Sequence, residues 1–150
     1  MLGDYVVHFP LTDFAVSLLV VAAILEIVRL VLNRDSLSVP VDLLLYLGTL
    51  GAVAAVASGW WLVAATDHGH DELLSMHHMF AYGTLAAAIV AVVARHLRAR
   101  SARFASVMTV ALVVSALLAS GAGFYGGKIA HPRGDSQRRE MTTTPTSHQH

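Results

Sequence analysis

Four apolar stretches, each long enough to cross a bilayer as a helix, leave this chain few choices of fold. They cover roughly residues 9–32, 43–65, 73–94 and 104–125. A hydrocarbon core needs about 20 apolar helical residues to span it. Backbone inside it must satisfy its hydrogen bonds within the segment, which selects helices. The links between the stretches are short, so sequential helices are expected to pack as antiparallel neighbours. The expected fold is all-α, an integral membrane four-helix up-down bundle. Of 150 residues, 55% are hydrophobic and only 13% charged, against about 25% charged in a soluble domain. There is room for one domain, residues 1–131, followed by a polar tail at 132–150 with the composition of a disordered segment.

Several function classes drop out on residue types alone. There is no cysteine, which excludes disulfides, cysteine-ligated iron–sulfur clusters and covalently attached haem within the chain. Net charge is zero, and neither a basic block nor a phosphate-cradling glycine loop suggests nucleic acid or nucleotide. No nucleophile with an acid–base partner stands out, so independent catalysis is not expected. The first span lacks the positive charges that precede a signal peptide, and it is too long for one.

Charge sets the expected orientation. Arg29 and Arg34 flank the first link, and Arg95, Arg98, Arg100 and Arg103 crowd the third. The second link carries Asp67, Asp71 and Glu72 with no Lys or Arg. The positive-inside rule puts the arginine end in the cytoplasm. The protein is then a multi-pass component of the cell membrane with both termini extracytoplasmic. Lys128, Arg133, Arg138 and Arg139 on the outer side run against that assignment. Small residues (Gly48, Gly51, Ala55, Ser58 and Gly59 in the second span; Ser115, Ala119, Gly123 and Gly127 in the fourth) read as close helix-packing devices.

This topology gathers His8, His68, His70, His77 and His78 at the outer end. Pro10 suits the first turn of helix one, where a missing N–H costs nothing, so His8 is expected at the helix entrance. Successive helical side chains diverge by about 100°, so His77 and His78 are not expected to face the same neighbour. His77 shares a stripe with the small residues Ala81, Thr84 and Ala88 and is the expected inward member. His78 shares its stripe with Leu74, Tyr82 and Leu85.

Histidine is the commonest metal ligand. An ionisable group within a membrane usually has a partner or a function. His8 and His77 can hold one b-type haem across the outer half of the bundle, with Trp60, Trp61 and Phe80 as candidate walls, although Trp60 and Trp61 read most simply as interfacial anchors. Lys128, Arg133 or Tyr125 would be placed to meet the propionates. The arginine end offers only His96, so one haem is expected. A copper or zinc site drawn from His68, His70, His77, His78 and His8 is the alternative, and a cofactor-free structural or assembly subunit a third. Asp13 reads either as a carboxylate orienting an imidazole or as a favourable charge at a helix N-terminus. Glu26 and Arg29, one turn apart, are expected to pair or snorkel. His148 and His150 in the tail read as incidental.

Val7-His8-Phe9-Pro10 opening the first span and Met76-His77-His78-Met79-Phe80-Ala81 opening the third resemble a prokaryotic four-helix membrane family. It is catalogued as domain of unknown function 2231. Gly126-Gly127-Lys128 ending the fourth span fits the same pattern, and the likeness covers roughly residues 5–130. The resemblance implies a redox role with His8 and His77 as the pair, and partners such as a Rieske-type or cytochrome subunit. His78 and Met79 depart from the commoner third-helix pattern.

Overall fold

A computed structural model describes residues 2–65 and 72–130. The described residues form four long helices: α1 (Leu2–Val31), α2 (Ser38–Ala65), α3 (Glu72–Leu97) and α4 (Ala102–Ala130), with a short 3-10 turn at Asp35–Leu37 before α2. Each is long and apolar enough to cross a membrane. The polar tail lies outside the described residues.

The helices outrun the apolar stretches that announce them. Ser38 opens α2 ahead of its apolar run, with Pro40 in the first turn, where the lost N–H has no intrahelical partner to miss. α1 ends in a left-handed residue, Asn33 at φ 50°. The Arg34 N–H reaches back to the Arg29 carbonyl at 2.9 Å and the Asn33 N–H to that of Leu30 at 3.5 Å. This is the six-to-one and five-to-two closure of a helix terminus, with Asn accepting the conformation that glycine usually takes. At its other end α1 starts at Leu2 and runs through Pro10. His8 therefore stands inside the helix and not at its entrance. The imidazole is tied to α2, as described below, and that tertiary contact outweighs the one backbone bond Pro10 cannot donate.

Packing makes a ring in the order α2, α1, α4, α3. The α1–α2 and α3–α4 pairs are intimate, α1 also packs on α4, and α2 touches α3 least among these neighbours. Sequential helices are thus close partners in two links and loose ones in the middle link. Glycines explain the two tight pairs. A Cβ at Gly48 would fall 2.9 Å from the Leu19 side chain, and one at Gly51 would fall 3.3 Å from the Ala15 backbone. On the other side, a Cβ at Gly121 would sit 2.6 Å from the Phe80 ring. Among the described residues no comparable glycine contact draws α2 and α3 together.

The two halves of the bundle differ. The solid core gathers at the arginine end, where Leu19, Ala22, Val41, Leu45, Ala88, Ala91 and Leu112 interlock. Glu26 is buried there, gripped by Arg29 at 2.7 and 2.8 Å and by the Thr109 hydroxyl of α4 at 2.9 Å. Arg29 and Glu26 pair as expected, and Thr109 is an addition the sequence does not announce. Arg95 clasps Asp42 with two guanidinium nitrogens across the α2–α3 gap. It is thereby a cross-helix tie and not simply a loop charge. The histidine end is hollow.

A histidine-lined cavity as the candidate functional site

A cavity of about 490 Å³ occupies the hollow half, lined from all four helices. α4 contributes Ala119, Ala122, Gly123, Gly126 and Gly127, and α2 contributes Ala52, Ala55 and Gly59. Such small side chains on facing helices leave volume that a Leu-rich pair would fill. The polar groups are few and come mostly from two helices: His8, Thr12 and Asp13 on α1, and His77, His78, Tyr82 and Thr84 on α3, with the Trp60 indole of α2 beside them. A mostly apolar space with a few convergent polar groups is the form that ligand sites take.

The His8 and His77 rings confront one another edge to face, centroids 6.4 Å apart and planes at 75°. Each is held by its Nδ1. The His8 Nδ1 lies 2.8 Å from Ser58 Oγ, and Ser58 gives its own proton to the Ala55 carbonyl at 3.0 Å. The bond to Ser58 ties the His8 ring to α2. The His77 Nδ1 lies 2.9 Å from the Ala122 carbonyl oxygen, which only accepts, so the proton of the neutral His77 imidazole is assigned to Nδ1. A histidine that ligates a metal through one nitrogen hydrogen-bonds through the other in this way.

Two glycines make room for these rings. A Cβ at Gly59 would approach His8 Cε1 to 3.2 Å, and one at Gly126 would approach His77 Cε1 and Nδ1 to 3.3 Å. Gly123 and Gly127, by contrast, would project a Cβ into open space. Burial, followed by the nearby His77 and His78, holds the His8 imidazole below its ordinary pKa. That favours the neutral form a ligand must have.

His77 is turned inward as its stripe predicts, with Thr84 and Ala88 buried below it. His78 is not turned wholly away. It too borders the cavity, its ring 6.0 Å from that of His77 and 5.9 Å from that of Tyr82. Tyr82 accepts a 2.6 Å hydrogen bond from the Trp60 indole across the α2–α3 gap.

Other expectations need correcting. Trp60 does line the cavity, but Trp61 and Phe80 do not: Trp61 is 72% exposed, and Phe80 stacks on Tyr125 at 5.4 Å and covers Gly121. Lys128 lies 4.3 Å over the Phe124 ring. Asp13 is well inside α1 and so does not serve a helix N-terminus, and the described hydrogen bonds of the two imidazoles go to Ser58 and Ala122. His96, at the far end, bonds its own helix at the Val92 carbonyl. His68, His70, Arg133, His148 and His150 lie outside the described residues. Among the described residues no group of three or more His, Asp or Glu side chains converges to hold a metal ion.

Sequence reasoning missed the supporting residues. Ser58, Gly59 and Gly126 were visible as small residues, but their roles depend on which ring faces them. Comparison with family models, with curated proteins and with solved structures returns no match.

Proposed function

We propose that the protein is a four-helix membrane protein holding one b-type haem between His8 and His77, and that it carries single electrons near the extracytoplasmic face. The observation that carries this reading is the pair of imidazoles, brought together from α1 and α3 at the cavity and each tied through Nδ1 to a further helix. Two imidazoles that ligate one metal from opposite sides put their ring centroids roughly 6 Å apart, given metal–nitrogen bonds of about 2 Å; here the separation is 6.4 Å. A haem would need no more than two ligands from the protein, which His8 and His77 could supply, whereas a bare zinc or copper ion needs three or four. The small-residue walls favour a broad flat group over a lone ion.

Bound there, haem would supply reversible one-electron chemistry; the chain's own residues do the holding. Ser58 and the Ala122 carbonyl would hold the two rings in place through Nδ1. Gly59 and Gly126 let each ring lie close to the neighbouring helix. Asp13, His78 and Tyr82 provide polar groups along an otherwise apolar wall.

The membrane setting is supported by the outer surface. Val21, Ile24, Leu43, Leu50, Val110 and Leu117 are all exposed, on helices long and apolar enough to cross a membrane, a surface that a bilayer would cover. With the arginine end cytoplasmic, the cavity opens in the outer half and both termini lie outside. The pair His8 and His77 is also the one implied by the resemblance to domain of unknown function 2231. A Rieske-type or cytochrome subunit is then a suitable electron partner.

The test is an absorption spectrum of the detergent-purified protein, oxidised and then reduced with dithionite. A sharp reduced α-band and about one iron per chain are expected of six-coordinate haem. His8→Ala and His77→Ala should each abolish the Soret band. A band surviving in both single variants overturns the pairing.

A further inference from the structure

The cavity has one weak wall. α1–α2 and α3–α4 are pressed together at glycines, and α1 packs on α4, but α2 and α3 touch least. Cavity-lining residues reach that seam from both sides: Trp60 on α2, and His78 and Tyr82 on α3. Among the described residues, two hydrogen-bonded side-chain ties cross it, and the Tyr46 and His96 rings meet at 5.8 Å toward its arginine end. Arg95 and Asp42 close it at the arginine end, beside the solid core. The Trp60 indole N–H donates to the Tyr82 hydroxyl at the level of the cavity. Both rings of that second tie are largely exposed, Trp60 at 66% and Tyr82 at 42%, so it lies on the outer face of the bundle.

We propose that the α2–α3 seam is a lateral opening from the bilayer into the cavity, with the Trp60–Tyr82 hydrogen bond as its latch and a flat, lipid-soluble ligand as what passes. The identity of that ligand as haem rests on the function proposed above; the opening itself rests on the packing. The two ties have different consequences. Arg95–Asp42 is bidentate and anchors the seam where nothing needs to enter. Trp60–Tyr82 is one neutral hydrogen bond at the surface, weaker than a bidentate pair of charges. Breaking it frees the ends of α2 and α3 to part while the core below stays closed. A ligand entering this way moves from hydrocarbon to an apolar cavity and crosses no water.

The chain has no cysteine, which makes the test direct. Ala81→Cys places a single thiol on the cavity wall. The full-length protein, freed of haem and held in lipid nanodiscs, is treated with pyrene-maleimide, which dissolves in the bilayer, or with a sulfonated maleimide confined to water. Pyrene-maleimide is expected to react faster than the charged reagent, and severalfold faster again when Tyr82→Phe is added. Trp60→Phe, which breaks the same bond from the other partner, should reproduce the gain and so separate the latch from incidental damage. Equal pyrene-maleimide rates with and without the tie, or faster reaction with the charged reagent, overturn the opening. The same preparations are scored for haem before extraction. Lateral labelling in a protein that never acquires a Soret band overturns the haem reading and keeps the opening. Haem binding with labelling indifferent to both latch variants does the reverse.

Discussion

His8 Nδ1 and Ser58 Oγ lie 2.8 Å apart, joining two helices whose positions in sequence differ by 50 residues. The hydroxyl also reaches the Ala55 carbonyl of its own helix, so it is held in place to anchor the His8 ring. Ser58→Ala removes the anchor and keeps the space. Haem affinity should fall about 10–100-fold, the usual effect of losing a partner behind a metal-bound histidine, with the helical circular dichroism unchanged. Ser58→Thr should restore most of it. An alanine variant that retains haem as well as the parent sinks the role assigned to Ser58.

Neighbouring glycines at the end of α4 should respond in opposite ways. At Gly126 an added Cβ would press on the His77 ring at 3.3 Å; at Gly127 it would meet nothing within 4 Å. Both changes to alanine improve helix propensity by up to about 1 kcal/mol. Gly127→Ala should therefore raise resistance to unfolding and keep haem. Gly126→Ala should weaken the Soret band or shift it, because the ring must move by a few tenths of an ångström, and Gly126→Val should eliminate it. Identical haem retention in all three variants would show that the glycine does not seat the ring.

The four helices were legible because a long uninterrupted apolar stretch leaves the backbone few ways to satisfy its hydrogen bonds except as a helix. Their ends were less so. Ser38 at the start of α2 and Lys128 in the last turn of α4 are polar and lie outside any apolar run, yet both are helical. His77 could be turned inward from its i+4 and i+7 neighbours, since Ala81 and Thr84 are small and share its stripe. What could not be read is anything fixed by two distant helices at once. Arg95 and Asp42 meet across 53 positions of sequence, and Thr109 meets Glu26 across 83. The looseness of the α2–α3 seam is of that kind as well: short links suggested uniform neighbours, while glycine placement made two tight pairs. Pro10 misplaced the start of α1 because a local rule about helix ends was overruled by the contact of His8 with α2.

Glu26 provides a stability test remote from the cavity. Its side chain is 1% exposed, with Arg29 and Thr109 supplying every partner the structure gives it. Glu26→Ala leaves the guanidinium without its main counter-charge, which costs about 3–5 kcal/mol for a well-buried pair; Arg29 is 20% exposed, so the lower end is expected. Replacing both, as Glu26→Leu with Arg29→Leu, should return most of the loss, since paired charges often contribute little beyond a well-packed apolar substitute. Unfolding in mixed SDS micelles measures both. A double variant as unstable as the single one would show that the ion pair itself is worth more than apolar packing at this site.

Acidification should empty the cavity before it unfolds the bundle. In the unfolded chain His8 takes up a proton near pH 6.5. In the fold its pKa is lowered by burial and by His77 and His78, so between the two values the unfolded chain binds more protons. Stability from this group is thus fully present above about pH 6.5 and is lost as pH falls through the folded value. Ligation adds to the same trend, because Nε2 cannot hold a proton and a metal at once. The Soret band should accordingly be constant from about pH 8 to 7 and decline below the ordinary histidine pKa, while helical content persists to lower pH. Asp13 also borders the cavity, and Asp13→Asn should leave this midpoint near its original place if His8 controls it. A Soret band that resists acid until the helices themselves unfold would remove His8 protonation from the account.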